Sequence, residues 1–474
     1  MTHRKLLIRG VSIVVAAVTA VGMAAAPSGA DPGHRTGHFH AGAPGAGDPY
    51  FPFAGNGGFD VRDYRLVLSY DPPTHRLTGT AVVRAVASTN LDRFDLDLRR
   101  DLAVSSVTVN KHRARFVRQG MQELVISPRP RLHAGRAFTV VVSYAGRPKP
   151  VIDPDGSLDG WIPTDDGAFV AGEPQGSPAW FPGSDHPSDK ATFSTVVTVP
   201  AGTRVVGNGT LVGHRAAAGH ETFVWREANP MATYLATVTI GRFDIQQSTT
   251  ASGIPVYVAI DPREKAASAG VVAQIPAIVH YFEQRFGPYP FASTGAIIDH
   301  AHFVGYALET QTRPLFDRAP DGINMAHELS HQWYGDSVTL TRWRDIWLNE
   351  GFASYASWLW SGHIGGPTPR QLFKQIYSTP ADDEFWRIPP ADPGSAARIF
   401  AGPIYARGAM TLQALRVKLG DDTFFRVLRD WARQHRYGSA NTPEFIRLAE
   451  RDSGVDLRHF FDVWLYRPAK PTSW

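Results

Sequence analysis

From about residue 49 to residue 243 the chain repeats one pattern, in which short runs of apolar and β-branched residues alternate with polar ones and are broken by Gly and Pro. Residues 64–70 and 77–83 flank an Asp71-Pro72-Pro73 turn. Similar stretches recur at 94–98, 104–109, 124–126, 138–144, 193–199, 204–206, 221–225 and 234–240. A period of two sends successive side chains to opposite faces of a strand, so these runs read as half-buried strands. Many short strands joined by Gly- and Pro-rich turns predict an all-β saddle or sandwich domain. Beyond Ile254 the pattern changes to strands alternating with helical stretches, and 266–286 reads as one helix. No repeat of fixed period is present. The expectation is an α+β multidomain chain with a β domain over 49–248 and a catalytic α/β domain over 249–474.

The second half also carries the chemistry. A helical run reads Met325, Ala326, His327, Glu328, Leu329, Ser330, His331, and Glu350 follows with eighteen residues between it and His331. Residues four apart share a helix face, so the two imidazoles can converge on one metal while Glu328 points beside it. Zinc takes His and carboxylate ligands tetrahedrally, and a catalytic site leaves one position for water. His327, His331 and Glu350 therefore predict one Zn²⁺ per chain. Glu328 is the candidate base for a water attacking a carbonyl.

Length and composition permit such an enzyme without pointing to it. The chain has 474 residues, 43% hydrophobic and 19% charged, enough for two sizeable cores. The formal charge is +4. Setting aside Arg4, Lys5 and Arg9 lowers the 48 basic residues to 45 against 44 acidic ones, so composition gives no support to nucleic-acid binding. Those three basic residues precede an apolar run over 11–26 and the small residues Ser28, Gly29 and Ala30, a pattern that predicts a cleaved export signal over 1–30. The expected location is extracellular, as a monomer with no stable membrane association. The run is Ala- and Gly-rich and shorter than the ~20 residues of a membrane span. Without cysteine, neither disulfides nor a lipoprotein anchor can form. Residues 31–48 hold Gly, Ala, His and Pro with little to bury and read as a disordered tail, in which His34, His38 and His40 are solvated. The acids Asp153, Asp155, Asp159, Asp165 and Asp166 read as a turn-rich loop rather than a calcium site.

The segment from Met325 to Asp336, continued by Trp343, Arg344, Asp345, Ile346, Trp347, Leu348, Asn349, Glu350 and Gly351, resembles the aminopeptidase N family of zinc metallopeptidases, the gluzincins that include leukotriene hydrolase. The resemblance implies a thermolysin-like catalytic domain behind an N-terminal β domain and covers roughly residues 60–470. It also implies a zinc aminopeptidase acting on peptides with a free N-terminus. Gly305, Tyr306, Ala307, Leu308, Glu309, Thr310 is similar to that family's Gly, x, Met, Glu, Asn exopeptidase motif, with Tyr306, Leu308 and Thr310 departing from it. Glu309 takes the position of its glutamate, and main-chain contacts at Ala307 can survive the side-chain changes. Glu173, nine residues before Pro182, stands where the family places a residue that helps hold the substrate's amino group. Ile404, Tyr405, Ala406, Arg407, Gly408 is similar to its Tyr, x, Lys, Gly run, which makes Tyr405 the expected donor to the developing oxyanion. The chain ends about where that family's catalytic domain ends, so a covering C-terminal helical domain is not expected. Two competing readings share these residues: a binding or scaffold protein on a degenerate copy of the fold, and an epoxide-opening or endopeptidase activity at the same zinc site.

Overall fold

The computed structural model describes residues 38–473. The proposed export signal, residues 31–37 of the tail and His34 lie outside them. From Phe39 on, the described residues form one compact body.

The first half of this body is β. An eight-stranded sheet runs in the order Thr210–Ala217, His220–Ala232, Lys190–Pro200, Phe59–Asp71, Arg76–Ala87, Ala137–Gly146, Leu102–Val109, His112–Arg113. Its long strands keep the expected alternation, with every second residue of Lys190–Pro200 buried and the others half-exposed. A five-stranded sheet orders Pro150–Ile152, Leu158–Pro163, Ala168–Ala171, Val238–Gly241 and Arg204–Gly207. Strands Ala168–Ala171 and Val238–Gly241 are buried at every position, as strands covered on both faces are. Aromatic rings join the two sheets, with Tyr70 edge-on to Trp161 at 4.9 Å and Trp161 beside Trp180. A third sheet contains His40–Ala41, Leu91–Asp97, Glu123–Ser127 and Arg115–Gln119.

Three expectations are corrected here. Residues 39–48 are ordered: His40–Ala41 pairs in parallel with Leu91–Asp97, and Asp48 is buried. The Asp48 carboxylate accepts from the amides of Tyr50 (2.8 Å) and Trp343 (2.8 Å), and with main-chain bonds such as Gly42 N–H to the carbonyl of Arg93 (2.9 Å) it anchors a segment with little apolar surface. The run read as an acidic loop contains strand Leu158–Pro163, and both Asp153 and Asp159, the latter within that strand, are buried. Finally, Asp244–Thr249, placed at the end of the β domain, pairs with Pro255–Ile260 and belongs to the next sheet.

That next sheet orders Asp244–Thr249, Pro255–Ile260, Thr294–Ile298, Leu315–Phe316 and Ala307–Leu308, which leaves Ala307–Leu308 as an edge. The rest of this half is mainly helical: α1 (Lys265–Val272), α2 (Ile275–Phe286), α3 (Gly322–Ser330), α4 (Trp347–His363), α5 (Pro369–Tyr377), α6 (Gly402–Leu419), α7 (Asp421–Gln434), α8 (Thr442–Ser453) and the short α9 (Arg458–Phe461). The predicted single helix over 266–286 is thus two, broken at Ala273 and Gln274. Pro276 sits in the first turn of α2, where its missing N–H costs nothing. Helix α4 is buried on all sides from Trp347 to Ser361, the mark of a central helix.

Candidate active site

Helix α3 starts where Asp321 accepts from the amides of Ile323 (2.9 Å) and Asn324 (2.8 Å), a side-chain cap for amides without an intrahelical partner. Two turns later it presents His327 and Glu328, and His331 closes it as the C-terminal cap. The His331 Nδ1 lies 3.0 Å from the carbonyl of Tyr334. A carbonyl only accepts, so the proton resides on Nδ1 and the Nε2 lone pair is free to bind metal. This ring position requires a glycine at 335, because a Cβ there would lie 2.9 Å from Nδ1.

Glu350 comes from the first turn of α4. Its Oε2 lies 3.1 Å from His327 Nε2 and 3.7 Å from His331 Nε2. Two imidazole nitrogens and a buried carboxylate converge, and their donor atoms lie within 4.8 Å of one another. That donor set fits one zinc ion. Glu328 is buried one step round the helix, and burial raises its carboxyl to about 8. Burial likewise lowers both histidines, which favours the neutral imidazoles a metal needs.

Helix α6 brings Tyr405 over the same point, its ring 6.1 Å from that of His327 and nearly parallel to it. Among the described residues no protein group bonds its hydroxyl. The α4–α6 crossing sets this position, since a Cβ on Gly408 would lie 2.7 Å from the Cα of Gly351. Only two glycines allow so close an approach, and each is near a site residue. Arg407, where the resembling family has Lys, is wholly buried and turned away from the site. It donates to the carbonyls of Trp464 (2.9 Å), Trp386 (2.9 Å), Val463 (3.0 Å) and Arg467 (2.6 Å), which fixes the helix carrying Tyr405.

At the other end of the cleft, Glu173 and Glu309 are both buried, and one oxygen of each has no hydrogen-bond partner. Burial raises both carboxyls. After it, Glu173 feels chiefly the charge of Glu309, and Glu309 that of Glu350. Among the described residues neither has a Lys or Arg partner. The cleft lined by these residues with Asp155, Ser157, Tyr306, Ala307, Leu308, Phe400 and Tyr405 has a volume of about 170 Å³. That is below the roughly 300–1,000 Å³ usual for small-molecule sites. Every sequence-predicted site residue (His327, Glu328, His331, Glu350, Tyr405, Glu309, Glu173 and Ala307) therefore meets in one cleft.

Several supporting residues were not expected. Tyr234, from the β half, donates its hydroxyl to the carbonyl of Gly335 (2.9 Å) and accepts from Asn349 Nδ2 (3.3 Å), linking the two zinc-ligand segments. Lys190 donates to the carbonyls of Asp336 (2.7 Å) and Ser337 (3.0 Å). Gln175 donates through its amide N to Asp159 and through Nε2 to Asp153, holding the segment that bears Glu173. Tyr306, one of the motif departures, donates to the carbonyl of Leu158 (2.6 Å) and ties the exopeptidase-like strand to the β half. A Lys at the head of an alternating apolar strand is the one signal visible in the sequence. The others join segments far apart in sequence.

Comparison with known proteins agrees with this arrangement. The Peptidase M1 N-terminal domain matches residues 61–235 and the Peptidase family M1 domain residues 322–464. Aminopeptidase M1-D of Oryza sativa subsp. japonica is 28% identical over 319 residues, 61% of this chain and 36% of that protein. The glutamyl aminopeptidase of Homo sapiens is 24% identical over 327 residues, 63% of this chain and 34% of that protein. The chain thus spans about a third of the length of these curated relatives. A crystal structure of an M1 zinc metallopeptidase from Deinococcus radiodurans superposes with a TM-score of 0.82 at 27% identity, covering 90% of this chain and 99% of that one. A variant of the Deinococcus protein, bound to a Tyr-Ser-Ala substrate, covers 89% and 97% with the same TM-score and identity. With both domains matched and the two-domain fold shared, this chain belongs to the M1 family of zinc metallopeptidases.

Proposed function

We propose that this chain is an exported zinc aminopeptidase that removes the N-terminal residue of peptides. The observation that carries this reading is the pair Glu173 and Glu309, two buried carboxylates without a cation beside the His327, His331, Glu350 ligand set. A substrate ammonium supplies the missing charge. Charge-assisted bonds to both carboxylates would then place the first peptide carbonyl over the ligand set. The edge strand Ala307–Leu308 offers unpaired main-chain groups to an extended peptide, which adds to the sheet as one more strand.

Zinc held by His327, His331 and Glu350 would acidify water and polarise the scissile carbonyl. Glu328 takes the proton of the attacking water as the new C–O bond forms, and returns it to the amine nitrogen as the C–N bond breaks. Tyr405 donates its unpartnered hydroxyl to the carbonyl oxygen as negative charge gathers there. The narrow cleft, closed by the two carboxylates, suits a chain end better than an internal segment. Export rests on the leader pattern at Arg4, Lys5 and Arg9, and the reading includes a monomer without stable membrane association. No described helix is long and apolar enough to cross a membrane.

The test is a panel of free and N-acetylated peptides, with chelator and zinc added in turn, followed by mass spectrometry. Chelator should abolish turnover and zinc restore it. Glu328→Gln should retain metal and lose several orders of magnitude in kcat. Rapid internal cleavage of acetylated peptides would instead establish an endopeptidase. A metal-loaded wild type inert toward every peptide would favour a binding role for the fold.

A further inference from the structure

A second cluster lies outside the catalytic cleft, where α1 begins. Glu264 immediately precedes α1 and is buried, and its Oε2 accepts from the amide of Ala319 at 3.0 Å. Its other oxygen, Oε1, meets two imidazoles, His300 Nδ1 at 2.5 Å and His302 Nε2 at 2.8 Å. The two rings lie 4.4 Å apart between centroids, and both side chains are partly open to solvent, 36% and 48% exposed. The catalytic ligand set has the same composition and convergence: two imidazole nitrogens directed at one oxygen of one buried glutamate. The second cluster differs in its open face, which lets an ion enter and keep water in its remaining positions.

The surroundings favour a cation. Arg263 is engaged by Asp261 and Asp165, and Arg318 by Asp317. Asp299, next to His300 and accepting its amide at 2.8 Å, is buried with its second oxygen unpartnered. The local balance is therefore negative, with both arginines already paired. Two imidazoles and one carboxylate suit a borderline divalent ion such as Zn²⁺ rather than Ca²⁺ or Mg²⁺, which prefer all-oxygen shells. Donor atoms around a metal at about 2.0–2.2 Å stand farther apart than 2.5–2.8 Å, so filling the site needs only a small outward movement of the exposed rings.

We propose that Glu264, His300 and His302 form a second divalent-metal site of zinc type, independent of the catalytic one. It would join the start of α1 to the segment leading into the edge strand of the cleft. That segment is already tied down where the Gly305 amide donates to Asp317 at 2.9 Å. A bound ion would thus brace Ala307–Leu308 from behind without touching substrate.

The test uses the untagged full chain, stripped with chelator and titrated with Zn²⁺ by calorimetry, with bound metal counted after desalting. Wild type should hold one more equivalent than His300→Ala/His302→Ala, and both should recover turnover. Residues His34, His38 and His40 are common to both proteins and cancel. A His331→Ala variant should lose turnover and keep the extra equivalent, which separates failure of this site from failure of the catalytic one. The conservative variant His302→Gln, read by the zinc-dependent rise in Tm, covers the case in which the double variant does not fold. Equal zinc content and equal zinc-dependent Tm shifts in wild type and variants would overturn the proposal.

Discussion

Replacing Glu309 by Gln changes one charge and almost no volume. Glu309 is 2% exposed, its Oε1 has no partner, and the nearest imidazole nitrogen, His331 Nδ1 at 4.0 Å, has its proton committed to Tyr334. In the free enzyme this carboxyl is buried against Glu173 and Glu350, and burial followed by the charge of Glu350 raises it to about 8, so it gives up its proton fully only when a cation arrives. With substrate bound it makes a charge-assisted hydrogen bond to the ammonium, worth about 1.5–3 kcal/mol, where a neutral amide gives about 0.5–1.5 kcal/mol. The difference, about 1–2 kcal/mol, lowers kcat/KM for free-amine peptides by roughly 5- to 30-fold at 1.4 kcal/mol per tenfold. Acetylated peptides never make the ionic bond, so their slow cleavage should hardly change and the ratio between the two classes should shrink by the same factor. Stability should move the other way, because the amide is neutral at every pH whereas the buried carboxyl is held far above its ordinary range, and Tm at neutral pH should rise. The assay is kcat/KM on matched free and acetylated peptides together with thermal unfolding of the same protein. Equal losses on both classes, or a lower Tm with the ratio unchanged, would refute the ammonium slot.

Tyr405→Phe should lower kcat by about 10²-fold with KM and Tm nearly unchanged, since its hydroxyl bonds nothing in the resting protein; steady-state kinetics decides it. Gly408→Ala places a methyl 2.7 Å from the Gly351 Cα, so the α4–α6 crossing must open. We expect about 1–3 kcal/mol of lost stability in denaturant titration, and lower kcat because Tyr405 and Glu350 move apart. Glu123 is buried with both oxygens unpartnered, and burial followed by Asp95 raises its carboxyl to about 7. Its folded-state pKa thus exceeds the usual 4.5, so its contribution is fully present below about pH 4.5 and is lost as pH rises through about 7. Glu123→Gln should flatten that part of the stability–pH profile and gain roughly 1–2 kcal/mol at pH 8, after allowance for solvent screening through the open cavity that Glu123 lines with Phe53, Met121 and Gln122. An unaltered profile would remove Glu123 as its source.

Local chemistry made much of this protein legible in its sequence. The spacing His327, Glu328, His331 prescribes a zinc-binding helix face because helical periodicity places residues four apart together, and alternation in 64–70 and 193–199 prescribes half-buried strands for the same kind of reason. Tyr405, Glu309 and Glu173 came from resemblance, and the fold brings them to one cleft with Glu350. What depends on contacts across long sequence distances was not legible. Pattern could not show that Asp48 would find the Trp343 amide and order a Gly- and Pro-rich segment, or that Asp153 and Asp159 would be buried under Gln175. Nor could it show that Arg407 supports the helix from outside the site while Tyr234 joins its two halves. Periodicity reports which face of an element is apolar. Which buried polar group meets which partner is decided only when distant segments pack, because the cost of leaving such groups unpaired is levied by the tertiary structure. The meeting of Glu264 with His300 and His302 is of this second kind, since thirty-six residues separate the carboxylate from the nearer imidazole.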